Sequence, residues 1–124
     1  MKEKLTQQEE TAMQIIWQMG AGFIKDYLEK YPDPKPPYTT LASIVKNLEK
    51  KGFVKGKKYG MVIEYTPVID EKEYKRKFMK GFVKDYFENS YKELVTFFAK
   101  EKKISPEELK EIIKMIEKKD RWFD

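Results

Sequence analysis

Two residue types are missing altogether from this 124-residue chain: it has no cysteine and no histidine. Without cysteine there is no disulfide scaffold and no thiolate to hold a metal. Without histidine as well, a zinc site loses its usual ligands, and acid–base or nucleophilic catalysis loses the side chains that most often carry it. No glycine-rich phosphate loop is present either, so an enzyme is disfavoured and neither cofactor nor metal is expected. No run approaches the roughly 20 apolar residues of a membrane-spanning helix. The start, Met1-Lys2-Glu3-Lys4-Leu5, is polar and carries no apolar signal core, so the expectation is a soluble, cytoplasmic protein.

What is present is enough for a core: 40% hydrophobic residues, 15% of all residues being aromatic. Charged residues make up 38%, well above the usual quarter or so, and Lys/Glu-rich amphipathic helices account for much of that excess. The charge is unevenly placed. From Lys35 to Tyr59 there are seven lysines and one acid, a local net charge of +6, while the whole chain is only +5. Positive charge concentrated on one module points to nucleic acid rather than to a generic solvated surface.

Periodicity orders the chain. Thr6-Gln7-Gln8-Glu9 fits a capping box, and Leu5, Ala12, Met13, Ile15, Ile16, Trp17 and Met19 predict a buried helix ending near Gly20. A second short helix is expected over about Gly22–Tyr31. Tyr31–Pro37 then holds four of the six prolines and reads as a rigid connection that sets the approach of a third helix. In that helix Leu41, Ile44, Val45 and Leu48 form the core stripe. Thr39, Ser43, Lys46 and Lys50 line the opposite face, flanked by Thr40, Ala42 and Asn47, and Gly52 supplies the left-handed cap. A basic hairpin follows from Val54, turning at Tyr59-Gly60 and returning through Val62, Ile63, Tyr65 and Thr66. Beyond Asp70, aromatic-rich helices carry Tyr74, Phe78, Phe82, Phe87, Leu94 and Phe98 at helical spacing, with a break at Asn89-Ser90. Ser105-Pro106-Glu107-Glu108 starts a last helix whose apolar stripe includes Ile112 and Ile116; its acids are helix-start residues, not a catalytic pair.

The fold class expected is mainly α with a small β-wing: a winged helix-turn-helix over residues 1–69 and a helical dimerisation region over 70–124. The third helix is the candidate DNA reader. Ser and Thr can contact phosphates or base edges, Asn can pair with adenine, and Lys supplies charge to phosphate or reaches guanine. The candidate DNA-contacting residues are Thr39, Thr40, Ala42, Ser43, Lys46, Asn47 and Lys50, with Lys55, Lys57 and Lys58 of the wing on backbone phosphates. Wing lysines also protect a strand edge from aggregation, which is the competing reading of those three. The aromatic stripe reads as core or dimer interface, not as a base-stacking platform. Tyr74, Phe78, Phe82, Phe87, Leu94, Phe98, Ile112 and Ile116 are the candidate interface. The alternative function is a winged-helix module that turns the same helix to an acidic protein partner.

In order along the chain, Thr6-Gln7-Gln8-Glu9 with Ala12–Trp17, Tyr38-Thr39-Thr40-Leu41 through Leu48–Val54, Tyr65-Thr66-Pro67, and the tail Leu94–Phe98 with Ser105–Leu109 resemble the penicillinase-repressor family of bacterial winged-helix regulators. That family includes β-lactamase, methicillin-resistance and copper-transport repressors. The resemblance implies a dimeric repressor on a palindromic double-stranded operator, with entwined C-terminal helices as the interface. It also implies release by a regulatory protease signalled from a membrane sensor. Three departures stand out. The cysteine cluster of the copper branch is missing, which excludes metal-induced release of that kind. The family's cleaved Asn-Phe bond aligns with Phe97-Phe98. Met61 follows the wing glycine, where many relatives carry Arg.

Overall fold

The computed structural model describes residues 4–118; Met1–Glu3 and Lys119–Asp124, with the terminal Arg121–Asp124 among them, lie outside the described residues. The described chain divides into two compact units between Lys77 and Phe78.

The first unit contains helix α1 (Gln7–Met19), strand β1 (Gly22–Phe23), α2 (Ile24–Glu29), α3 (Tyr38–Lys50), β2 (Val54–Tyr59), β3 (Val62–Pro67) and the start of α4 (Glu71–Phe87). Thr6 closes the expected capping box on α1: Glu9 N–H donates to its hydroxyl at 3.1 Å, and Thr6 N–H donates back to the Glu9 carboxylate at 2.9 Å. The carboxylate is itself buried, at 5% exposure, where an unpaired charge would be costly. Lys51, just past α3, reaches it at 2.7 Å and also donates to the Lys4 carbonyl. Burial alone would raise the Glu9 pKa; the bonds from Lys51 and Thr6 outweigh it and leave the carboxyl below its ordinary value.

α3 ends in a Schellman motif. Gly52 N–H donates to Glu49 O at 3.0 Å and Phe53 N–H to Leu48 O at 2.9 Å, with Gly52 at φ +85°. This stop aims the chain directly into β2 and brings Phe53 against Leu48, both fully buried. The core joins Met13 and Ile16 of α1, Tyr27 of α2, Leu41, Val45 and Leu48 of α3, and Val54 and Tyr65 of the sheet.

The sheet is three-stranded and antiparallel, in the order β1-β3-β2. The third strand, β1, takes the residues read from sequence as the beginning of the second helix. Its two residues pair with Tyr65 and Glu64, so only a partner more than forty positions away makes them a strand. Pairing of Tyr59 with Val62 puts the two-residue turn at Gly60-Met61, one position later than expected. The Tyr27 hydroxyl is shared between the carbonyls of Gly20 at 2.8 Å and Tyr65 at 3.2 Å, linking α2 to the end of α1 and to the sheet. Burial, with Asp26 and Glu64 nearby, pushes that phenol up to about 12.

Tyr74, one of the candidate interface residues, is packed inside the first unit. It is 6% exposed within the first unit, edge-on to Phe53 at 5.7 Å and 5.5 Å from Trp17, and its hydroxyl donates to Glu10 at 3.0 Å. Trp17 Nε1 donates to the Ile69 carbonyl at 2.8 Å. These contacts hold the first turn of α4 to α1, so the compact unit runs past the compositional boundary at residue 69.

The second unit holds the rest of α4, α5 (Tyr91–Lys100) and α6 (Pro106–Glu117). The break falls where expected, with Glu88 and Asn89 both at positive φ. Ser90 caps α5 through Glu93 N–H, and Ser105 with Glu108 forms a capping box on α6, Pro106 standing in its first turn. Phe82 sits among Phe78, Tyr86 and Phe87, and Phe87 meets Phe97 edge-on at 5.8 Å. Val83 is the one buried side chain of this unit among its described residues, and neither α5 nor α6 buries any residue.

Candidate nucleic-acid interface

The outward side of α3 follows from its core side. Leu41, Val45 and Leu48 are fully buried, and a helix of 3.6 residues per turn must then present Thr39, Ser43, Lys46 and Lys50 to solvent. A shallow depression of about 420 Å³ runs along this surface, lined by Tyr38, Thr39, Ala42, Ser43, Lys46, Asn47 and Lys50. Six of the seven residues proposed from sequence for this helix line it. Thr40 is exposed but flanks the depression. Four hydrogen-bonding side chains with a small alanine between them make a surface that can approach base edges closely, and the lysines extend toward phosphate.

The wing lysines fall on two faces. Successive strand residues alternate sides, so Val54, Gly56 and Lys58 share the side turned to α3, where Gly56 N–H donates to Glu49. Lys55 and Lys57 stand on the opposite side with Tyr59. There Lys57 faces Glu64 across the ladder and lies 5.4 Å from the centre of the Tyr59 ring. Met61 caps the tip at 98% exposure, so the position after the wing glycine offers an apolar, uncharged contact.

The basic character of the stretch is narrower than its lysine count. Lys51 is turned inward to Glu9, and Lys35 donates to the Glu29 and Tyr31 carbonyls. Lys46, Lys50, Lys55, Lys57 and Lys58 are exposed, and these five form the surface a polyanion would meet.

Sequence reasoning missed a second hollow. A cleft of about 440 Å³ lies on the other side of Tyr38, Ala42 and Lys46, closed by Phe23, Ile24, Lys25 and Asp26 and by Met61, Val62, Ile63 and Tyr65. Lys25 lies outside the lysine-rich stretch; the packing of α2 on α3, with the pairing of β1 with β3 just before it, brings it beside α3 and the wing. Burial, with Glu49 and Tyr38 adding to it, raises the Tyr65 phenol above its ordinary value.

Of the candidate interface residues in the second unit, Phe78, Phe98, Ile112 and Ile116 are exposed, while Phe82, Phe87 and Leu94 are half-buried. Met79, Val95, Phe97, Ile113 and Met115 are further exposed apolar residues of the same unit.

Comparison with known proteins agrees with this architecture. The chain matches the penicillinase repressor family over residues 5–118. It is 27% identical over 110 residues to the methicillin resistance regulatory protein MecI of Staphylococcus aureus, covering 86% of this chain and 88% of that protein. It is 27% identical over 108 residues to the penicillinase repressor of Bacillus licheniformis, covering 85% and 83%. The solution structure of the DNA binding domain of the repressor BlaI superposes with a TM-score of 0.51 at 27% identity, covering 60% of this chain and 94% of that domain. Matched to the family from residue 5 to residue 118, the chain belongs to the penicillinase repressor family of winged-helix transcription regulators, and is a regulator rather than an enzyme.

Proposed function

We propose that this chain represses transcription by binding a palindromic operator as a homodimer, each protomer laying α3 in the major groove and its wing on the backbone. The observation that carries this is the outer face of α3, where Thr39, Ser43, Asn47 and the lysines at 46 and 50 line one shallow surface beside a basic hairpin. In this reading Ser43 and Asn47 read base edges, whereas the wing lysines bind phosphate without regard to sequence. Lys58 addresses it from the α3 side, Lys55 and Lys57 from the other.

The dimer is supported by the second unit. Ile112 and Ile116 are 44% and 60% exposed on a helix that buries nothing, and Phe97 and Phe98 are 49% and 38% exposed on its neighbour in sequence. A symmetric pairing buries these residues on both copies and sets two recognition helices one helical turn, or a small multiple, apart on one face of the DNA. Work on an operator places the protein with the DNA, in the cytoplasm. Release follows from whatever breaks the pairing, including a regulatory protease under a membrane sensor. A cut at Phe97-Phe98 requires local unwinding, since both residues lie inside α5.

Electrophoretic mobility shift with duplex DNA from upstream of the gene tests the proposal, run alongside sedimentation at micromolar concentration. The expected result is a specific complex that weakens steeply from low to moderate salt, formed by a species of twice the 14.9 kDa chain mass. A monomer refutes the dimer. A chain that prefers no upstream fragment over unrelated DNA refutes operator binding and favours the protein-interaction module.

A further inference from the structure

Glu49 is the single acid in the lysine-rich stretch, and it points at the wing. β2 is an outer strand of the sheet. Counted back from the two-residue turn, Tyr59, Lys57 and Lys55 occupy the hydrogen-bonded pairs of the ladder. Gly56, opposite Tyr65, falls at a non-bonded position, so its N–H faces the open edge. Glu49, in the last turn of α3, takes that N–H on Oε2 at 3.2 Å. The missing side chain at Gly56 makes the approach possible: a Cβ there would lie 3.1 Å from this carboxylate oxygen, 2.9 Å from Ile63 Cγ2 and 3.1 Å from Tyr65 Cε1. The hairpin is therefore joined to α3 twice, at its root by Phe53 N–H on Leu48 O and three residues further out by Gly56 N–H on Glu49.

We infer that Glu49 is a positioning residue for DNA binding, a clip that holds the wing at a set height beside the recognition helix so that both reach the duplex together. The consequence for affinity rests on the operator-binding proposal; the clip itself does not. Two effects of this side chain oppose each other. As a negative charge among lysines it repels a polyanion, and on electrostatics alone its removal tightens binding. As a clip it removes the freedom of a hairpin carrying Lys55, Lys57 and Lys58, and its loss loosens binding by leaving that ordering to be done on the DNA. The charge effect comes from one exposed group and fades at physiological salt, where screening acts over about 8 Å. The clip effect persists there, and so it prevails.

Glu49→Ala and Glu49→Gln separate the two. Hydrogen exchange at the Gly56 amide reads the clip, and binding to the upstream duplex and to an unrelated duplex at physiological salt reads its consequence. In Glu49→Ala the Gly56 amide exchanges at least about tenfold faster than in the parent, while the amides of Val45 and Leu48 keep their protection. Operator affinity falls about tenfold, the order expected for losing a hydrogen bond to a charged group. Glu49→Gln keeps an acceptor oxygen and drops the charge, so Gly56 stays protected and affinity equals or exceeds that of the parent. Unchanged Gly56 exchange in Glu49→Ala overturns the clip, whatever the DNA result. Binding by Glu49→Ala as tight as the parent's overturns the positioning role. Should Glu49→Ala fail to fold, a Glu49→Gln protein that folds but binds more weakly than the parent overturns the inference. A parent that does not prefer the upstream duplex overturns operator binding, and the exchange result still decides the clip.

Discussion

Replacing Lys51 by Met tests the interior logic of the winged helix. The Lys51 side chain is 18% exposed and that of Glu9 6%, so the ion pair between the start of α1 and the end of α3 is nearly dry. Deleting one partner of a fully buried pair costs about 3–5 kcal/mol, because the remaining charge is stranded. Residual solvent access at the lysine, and the Thr6 N–H that still donates to Glu9, bring the expected cost to about 2–3 kcal/mol. For a unit of this size that is a fall of about 10–20 °C in melting temperature. The assay is urea and thermal unfolding followed by Trp17 emission, with Trp122 replaced by Phe throughout so that one tryptophan reports. The pH dependence has a definite sign. In the parent the Glu9 carboxyl lies below its ordinary value of 4.5, so its contribution is present above that pH and is lost as pH falls through the folded value. In Lys51→Met burial is the stronger influence, the carboxyl is raised, and protonation relieves the stranded charge. The gap between parent and variant is therefore widest at neutral pH and narrows on acidification. A Glu9→Gln, Lys51→Met double variant recovers most of the loss. A deficit under about 1 kcal/mol at pH 7, or one independent of pH, refutes the reasoning.

Three further outcomes are expected. Ser43→Ala relaxes operator preference by about 1–3 kcal/mol if a base contact is lost, whereas Lys57→Ala weakens all duplexes alike and lowers the salt slope by about one; competition binding at several salt concentrations distinguishes them, and parent-like binding by both refutes the placement of α3 in the groove. Ile116→Asp, at a position 60% exposed in the protomer, leaves the helix content and the melting of the winged helix unchanged but yields monomers in sedimentation; a dimer of parental strength removes α6 from the interface. Tyr27→Phe loses the hydroxyl shared by Gly20 and Tyr65 and costs about 1 kcal/mol in urea unfolding. The Tyr27 phenol is raised to about 12, so its contribution is complete below the unfolded value near 10 and is lost as pH rises toward 12. The variant's stability therefore declines less over that window, and equal slopes refute the assignment.

Helix starts, the end of α3 and the polar face of that helix were legible in the chain because they depend on neighbours three or four residues apart. Thr6 with Glu9, Ser105 with Pro106 and Glu108, and Gly52 after Lys51 are local signals, and each took the form expected. Leu41, Val45 and Leu48 likewise settle which side of α3 faces out. What depended on distant partners was not legible. Gly22 and Phe23 became a strand only because β3 offered a free edge. Tyr74, identical in spacing to its aromatic neighbours, was drawn into the first unit by Trp17, Phe53 and Glu10.

The same division runs through the charges. Composition counts Lys51 with Lys46 and Lys50, yet folding placed it on a buried carboxylate forty-two positions away and removed it from the basic surface. Glu49 counts in sequence as one unit of unwelcome charge, and the fold sets it on the backbone of the wing. Local pattern decides which residues can face outward. Tertiary packing decides which of those charges remain available, because a charge taken out of water must find its partner wherever the fold brings one.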